Sequence, residues 1–223
     1  MLFGPDLSNY QKQLSLEHAE ALVAGGCSFA MIGRQARNTY APIQREHLRR
    51  AGITKIGEYL ISLGGVWPAL FPETTFVAVD VEPGSEFITE ADIDAAIGWV
   101  REQGRTPLIY SSNWAWRALG LAGLTKYGEQ GIPLWNANYD GMTNGFELPA
   151  PFGGWTVCAI DQYTDSWQDR AEIPYPLDMN CCDESFWGQV ATDGRTYEDG
   201  LRDGTARALD AMQQGLDAIR RAT

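Results

Sequence analysis

The chain has 223 residues, 44% of them apolar, and a formal net charge of −12. That is enough apolar content for one good-sized core, and too acidic a balance for nucleic acid or an anionic membrane to be the main partner, since both require a basic face. Four cysteines (Cys27, Cys158, Cys181, Cys182) without C-x-x-C spacing and only two histidines supply no zinc framework, so reduced, mostly buried thiols and no metal or cofactor are expected.

No apolar run approaches the ~18 residues of a membrane helix. Met1-Leu-Phe-Gly-Pro-Asp6 runs directly into what reads as the first strand, so no signal peptide is expected and any extracellular substrate would have to be reached by another delivery system. The first strand covers residues 2–7 and ends near Asp6, with polar Ser8-Asn9-Tyr10-Gln11 after it. Ser15 is placed to cap a helix through Ala24, closed by Gly25-Gly26. A second strand, 29–33, leads into Arg34-Gln-Ala-Arg-Asn38; Pro42 opens the next helix and Gly52 ends it. Strand three is read over 53–62.

Strand four, Thr75-Phe-Val-Ala-Val-Asp-Val-Glu82 before Pro83-Gly84, carries the strongest signal. Alternation puts Val77, Val79 and Val81 on one face, suited to packing against helices, and Phe76, Ala78, Asp80 and Glu82 on the other. Two carboxylates side by side in an apolar strand are costly unless solvated, paired or chemically employed. Thr89 caps a helix whose Ile93, Ile97 and Val100 recur at helical spacing up to Gly104. Strand five spans 106–111, a short helix 114–119, strand six 132–139. A Gly-, Asn- and Pro-rich loop covers 140–154, strand seven 155–163, and a short strand eight 177–180.

Eight strands with helices between the early ones and loops between the late ones predict an irregular α/β fold, a (β/α) TIM-like barrel that is mainly parallel. Active sites of such barrels lie at the C-terminal strand ends, where Asp6, Asp80, Glu82 and Asp178 are expected to converge. Residues 1–188 are taken as this barrel and 189–223 as a linker and C-terminal helix, whose Leu209, Met212, Leu216 and Ile219 stripe suits packing on the barrel, self-association or tethering.

Six segments in order resemble the family 25 glycoside hydrolases, the N-acetylmuramidases often called Chalaropsis-type lysozymes. Phe3-Gly-Pro-Asp-Leu-Ser-Asn-Tyr-Gln11 resembles their first strand, Val79-Asp-Val-Glu82 their D-x-E strand, and Pro107-Leu-Ile-Tyr-Ser-Ser112 their P-x-I-Y-[ST] strand. Pro133-Leu-Trp-Asn-Ala-Asn-Tyr139, Gln162-Tyr163 and Leu177-Asp-Met-Asn180 are similar to P-L-W-x-A-x-Y, the end of W-Q-Y, and [VI]-D-x-N. The chain departs from the family at Arg34–Asn38, at Tyr59-Leu60-Ile61 and at Asp161, positions of the groove.

The resemblance implies hydrolysis of the β-1,4 bond between N-acetylmuramic acid and N-acetylglucosamine in bacterial peptidoglycan, without a cofactor. It assigns Glu82 as general acid, its pKa lifted by burial and by the charge of Asp80, with Asp6 and Asp178 as polar partners. The nucleophile is left open between an Asp and the substrate's acetamido oxygen. Tyr59, Tyr110, Trp135, Tyr139 and Gln162 are expected at or near the groove, Tyr110 and Trp135 either as stacking platforms or as barrel core, and Arg34 to meet a substrate carboxylate or a barrel acid. Wall contact through a phage holin or a virion fits a chain read without a secretion signal. The rival readings are a non-catalytic glycan-binding or structural barrel of a virion and a chitinase-like hydrolase.

Overall fold

The computed structural model describes residues 1–141, 146–167 and 176–191. Its elements run β1 (Leu2–Leu7), α1 (Leu16–Ala24), β2 (Phe29–Arg34), α2 (Ala41–Ala51), β3 (Lys55–Leu60), β4 (Phe76–Asp80), α3 (Glu90–Glu102) and β5 (Thr106–Ser111). They continue with α4 (Asn113–Ala118), α5 (Lys126–Glu129), β6 (Leu134–Ala137), β7 (Glu147–Phe152), β8 (Trp155–Val157), β9 (Ile160–Trp167), β10 (Leu177–Cys182) and α6 (Glu184–Ala191). Eight strands close a barrel in the order β1-β10-β9-β6-β5-β4-β3-β2, and β7 and β8 form a separate two-stranded sheet. The expected C-terminal helix and its stripe lie in 192–223, outside the described residues. Among the described residues no helix is long and apolar enough to cross a membrane.

Local chemistry starts the helices where the sequence places them. Ser15 accepts from the His18 amide, and Thr89 forms a reciprocal capping box with Asp92. Pro42 opens α2 and Gly52, at φ 110°, ends it. The faces of β4 separate as alternation predicts. Val77, Val79 and Val81 pack outward with Ile93, Ala96, Ile97 and Val100 of α3, while Phe76 and Ala78 point into the barrel with Met31, Leu108 and Trp135.

Three expectations change. β10 is antiparallel to both β1 and β9, so the barrel is parallel only from β1 through β2 to β6 and on to β9. The segment 155–163 is not one strand: Trp155–Val157 turns back on β7, a strand inside the expected 140–154 loop, and the barrel strand begins at Ile160. Polar and apolar residues alternate poorly there because β7 is mostly exposed. The third change is α6, which follows β10 directly. Its Phe186 and Trp187 close the barrel end opposite the carboxylates, Trp187 lying 5.2 Å from the Phe29 ring and 4.7 Å from that of Phe76.

The barrel interior is crowded at Gly4, where an added Cβ would lie 1.9 Å from the backbone oxygen of Phe29. Backbone cannot yield as a side chain can. Gly4→Ala is expected to destabilise the fold by about 3 kcal/mol or more, read as a lowered thermal midpoint by circular dichroism.

Candidate active site

Asp6, near the end of β1, sits at the centre of a donor network within the barrel mouth. Its Oδ2 accepts from Gln162 Nε2 at 2.7 Å and from Asn180 Nδ2 at 2.9 Å, and Tyr59 Oη donates towards Oδ1 at 3.5 Å. Both amides are oriented from behind. Tyr110 Oη donates to Gln162 Oε1 at 2.8 Å and Trp135 Nε1 donates to Asn180 Oδ1 at 2.7 Å, so each amide must turn its NH2 to Asp6. Tyr59 reaches Asp6 because β2 has no Cβ at Gly33, where one would lie 2.9 Å from the tyrosine ring. Burial pushes the Asp6 pKa up to about 6 against the pull of these donors.

Asp80 ends β4 on the same interior face, 2% exposed, and its Oδ1 meets no hydrogen-bond donor among the described residues. Burial first, then the charges of Glu82 and Asp6, holds its pKa well above the carboxylate range. Glu82 lies two residues on at the rim, half-buried, and is raised by burial and by Asp6. The sequence reading assigned the charge facing Glu82 to Asp80. The structure favours Asp6 for that charge, because two amide donors meet its carboxylate and none reaches Asp80 Oδ1.

Asp178 is the second residue of β10 and pairs across the sheet with Asp6. It joins the cluster from the start of its strand, and only because β10 runs antiparallel does that start lie at the C-terminal end of β1. Burial and the charges of Asp6, Asp165 and Glu82 push it up to about 8. Asp6, Asp80 and Asp178 thus come from β1, β4 and β10, with Glu82 just beyond β4. Among the described residues no group of three or more side chains is arranged to hold a metal ion.

The expected groove residues divide. Tyr59, Tyr110 and Gln162 belong to the Asp6 network, and Tyr139, 53% exposed, stands at the rim with its hydroxyl 3.5 Å from that of Tyr110. Trp135 is 1% exposed, boxed edge-on by Tyr59 and Tyr110, and presents no open face for stacking. Arg34 ends β2 on the outer face. It pairs with the buried Glu58, donates to Ala69 O at 2.9 Å and lies 4.4 Å over the Phe71 ring, so it pins the loop before β4 and is turned away from the mouth. Asn180 was not singled out, although it shares the interior face of β10 with Asp178 at i and i+2, the spacing that marks Asp80 and Glu82. Trp114, 70% exposed at the start of α4, was also passed over.

No model of a known protein family matches the chain. Among curated proteins it is similar to Lysozyme-like protein 5 of Caenorhabditis elegans, 32% identical over 98 residues, which is 44% of this chain and 43% of that one; the match thus spans less than half the length of the relative. Among solved structures, the muramidase from Acremonium alcalophilum superposes with a TM-score of 0.61 at 18% identity, covering 86% of this chain and 99% of that one. A family 25 glycosyl hydrolase from Bacillus anthracis gives 0.62 at 14% identity, covering 86% and 94%. The chain has the fold of these enzymes.

Two outcomes follow from the electrostatics. Asn180→Ala removes a donor from Asp6, so the Asp6 pKa is expected to rise above its value of about 6, read from its carboxyl carbon shift by NMR. Asp178 binds a proton in the folded chain up to about pH 8 but in the unfolded chain only up to about pH 4. Its contribution to stability is therefore full at low pH and lost as pH rises through 8. Asp178→Asn abolishes that loss, and its thermal midpoint relative to the parent is expected to climb by about 10 °C from pH 4 to pH 8.

Proposed function

We propose that this chain, which has the fold of the muramidases and family 25 glycosyl hydrolases, is a peptidoglycan hydrolase cutting the β-1,4 bond between N-acetylmuramic acid and N-acetylglucosamine. The observation that carries the reading is the unequal environment of the clustered carboxylates: Asp6 is cradled by donors, while Asp80 and Glu82 are pushed towards their protonated forms. Glycoside hydrolysis needs that division, an acid for the leaving oxygen and a fixed negative charge near an oxocarbenium-like carbon.

In this reading Glu82, at the accessible rim, donates its proton to the bridging oxygen. The proton passes to the leaving sugar and Glu82 becomes the carboxylate that later accepts a proton from water. Burial disfavours charge on Asp80, two residues away, and so limits the like charge beneath the new anion. The Asp6 carboxylate stabilises positive charge developing at the anomeric carbon, and its amide cradle is preorganised for that task. Asp178, neutral up to about pH 8, has a proton to donate to the substrate or a water.

Glu82→Gln keeps the size of the side chain and removes its transferable proton. Release of new reducing ends from purified peptidoglycan is expected to fall by about 100- to 10,000-fold, with muramic acid at the new ends in the intact protein. Absence of wall cleavage by the intact protein would instead favour a glycan-binding barrel.

A further inference from the structure

The segment joining β3 to β4, residues 61–75, stands where a regular barrel carries a helix. Its start is fixed: the Glu86 carboxylate accepts from Ser62 Oγ at 3.2 Å, from the Leu63 amide at 2.9 Å and from the Gly64 amide at 2.8 Å. Trp67 lies flat on Trp99 of α3, with ring centroids 4.7 Å apart and planes 20° from parallel, and the Phe87 ring is 6.2 Å away. Yet this aromatic stack stands partly in water. Val66 is 73% exposed, Trp67 39% and Ile88 43%, so apolar area that burial would stabilise is left open on a rigid support.

The outer ridge of α3 extends this patch. Ile93, Ala96, Ile97 and Val100 are buried against the barrel, and the positions on the opposite side of the helix include Ala91, Ala95 and Gly98. A surface helix ordinarily carries charged and polar residues there. Small residues instead leave room for another element to approach closely, and a Cβ added at Gly98 would meet nothing within 4 Å.

We propose that the chain's own C-terminal segment, residues 203–222, docks on this face, with the stripe of Leu209, Met212, Leu216 and Ile219 against Trp67, Trp99 and the ridge of α3. That segment lies outside the described residues; in the sequence its four apolar residues recur at three- and four-residue spacing, and such a stripe requires an apolar partner to be stable in water. The described chain ends with α6 at Ala191. Residues 192–208 reach up to about 55 Å when extended, against a width of about 40 Å for a domain of this size. A tether of that kind holds its end near the barrel at an effective concentration on the order of millimolar, so a modest contact suffices. Charge separates this occupant from a second copy of the chain. α3 carries Glu90, Asp92, Asp94 and Glu102 against Arg101 alone, and a second α3 seated here would set acid against acid. Residues 203–222 bring Asp203, Asp210 and Asp217 balanced by Arg207, Arg220 and Arg221.

Hydroxyl-radical footprinting of the full chain, read by mass spectrometry, tests the placement without requiring cleavage of any substrate. Trp67 and Met212 are expected to oxidise slowly in the intact protein. The pair Leu209→Asp and Leu216→Asp is expected to speed oxidation of both by about fivefold or more, while Trp114, 70% exposed at the start of α4, keeps its rate. Trp67→Ala leaves the segment unchanged and is expected to expose Met212 to the same degree, with light scattering giving a single chain for every variant. Equal oxidation of Trp67 in the intact protein and the double variant overturns the proposal, and so does a Met212 rate that Trp67→Ala leaves unmoved. A two-chain mass, with Trp67 exposed on dilution to single chains, overturns it as well, because a second copy then holds the face.

Discussion

Asp6 is buried inside an apolar barrel, and two amides forced to face it oppose the upward push of that burial on its pKa, which stands at about 6. Burying an anion is among the most expensive acts in a fold unless hydrogen bonds meet it. Here Gln162 and Asn180 supply them, and their orientation is in turn dictated by Tyr110 and Trp135. The network draws residues from β1, β3, β5, β6, β9 and β10 into one connected set, so the mouth is specified by hydrogen bonding as tightly as the lower barrel is by packing. Asp80, Glu82 and Asp178 are raised first by their own burial, and the charge of Asp6 adds to the rise of each.

The barrel's irregularities have consequences at the same place. An antiparallel β10 delivers Asp178 and Asn180 to the mouth from the start of a strand. Omitting a helix after β6 leaves room for the β7–β8 hairpin, which raises one wall of the groove beside Glu82. At the far end α6 substitutes aromatic rings for a helix layer, stacking Phe186 and Trp187 on Phe29 and Phe76. Functional groups therefore gather at one end while the other is sealed, a division of labour expected of barrels of this class.

Much of the architecture was legible because strong local signals coincide with tertiary need. The Val77, Val79, Val81 face and the capping residues Ser15 and Thr89 behave as periodicity and capping chemistry dictate. The hairpin was not legible: β7 is short, largely exposed and contains Pro149 and Pro151, so it lacks the alternation by which a strand announces itself. At the site, the four acids could be named from their places near strand ends. Trp135 and Arg34 each left two readings open, since an aromatic in a barrel strand serves core or groove equally well, and the register of β2 alone turns Arg34 to the barrel acid Glu58.

The sequence by itself determined the early strands, the capped helices, the faces of β4 and which acids stand near strand ends, because these depend on side-chain periodicity and on residue types within a few positions of one another. Tertiary structure alone decided which acid is met by donors, which aromatic is exposed and which strand runs backwards. Those outcomes turn on burial and on donors more than 150 residues away in the chain, as in the Gln162–Asp6 and Asn180–Asp6 bonds. A carboxylate's pKa is set by the field and solvation around it, and these exist only once the barrel has closed.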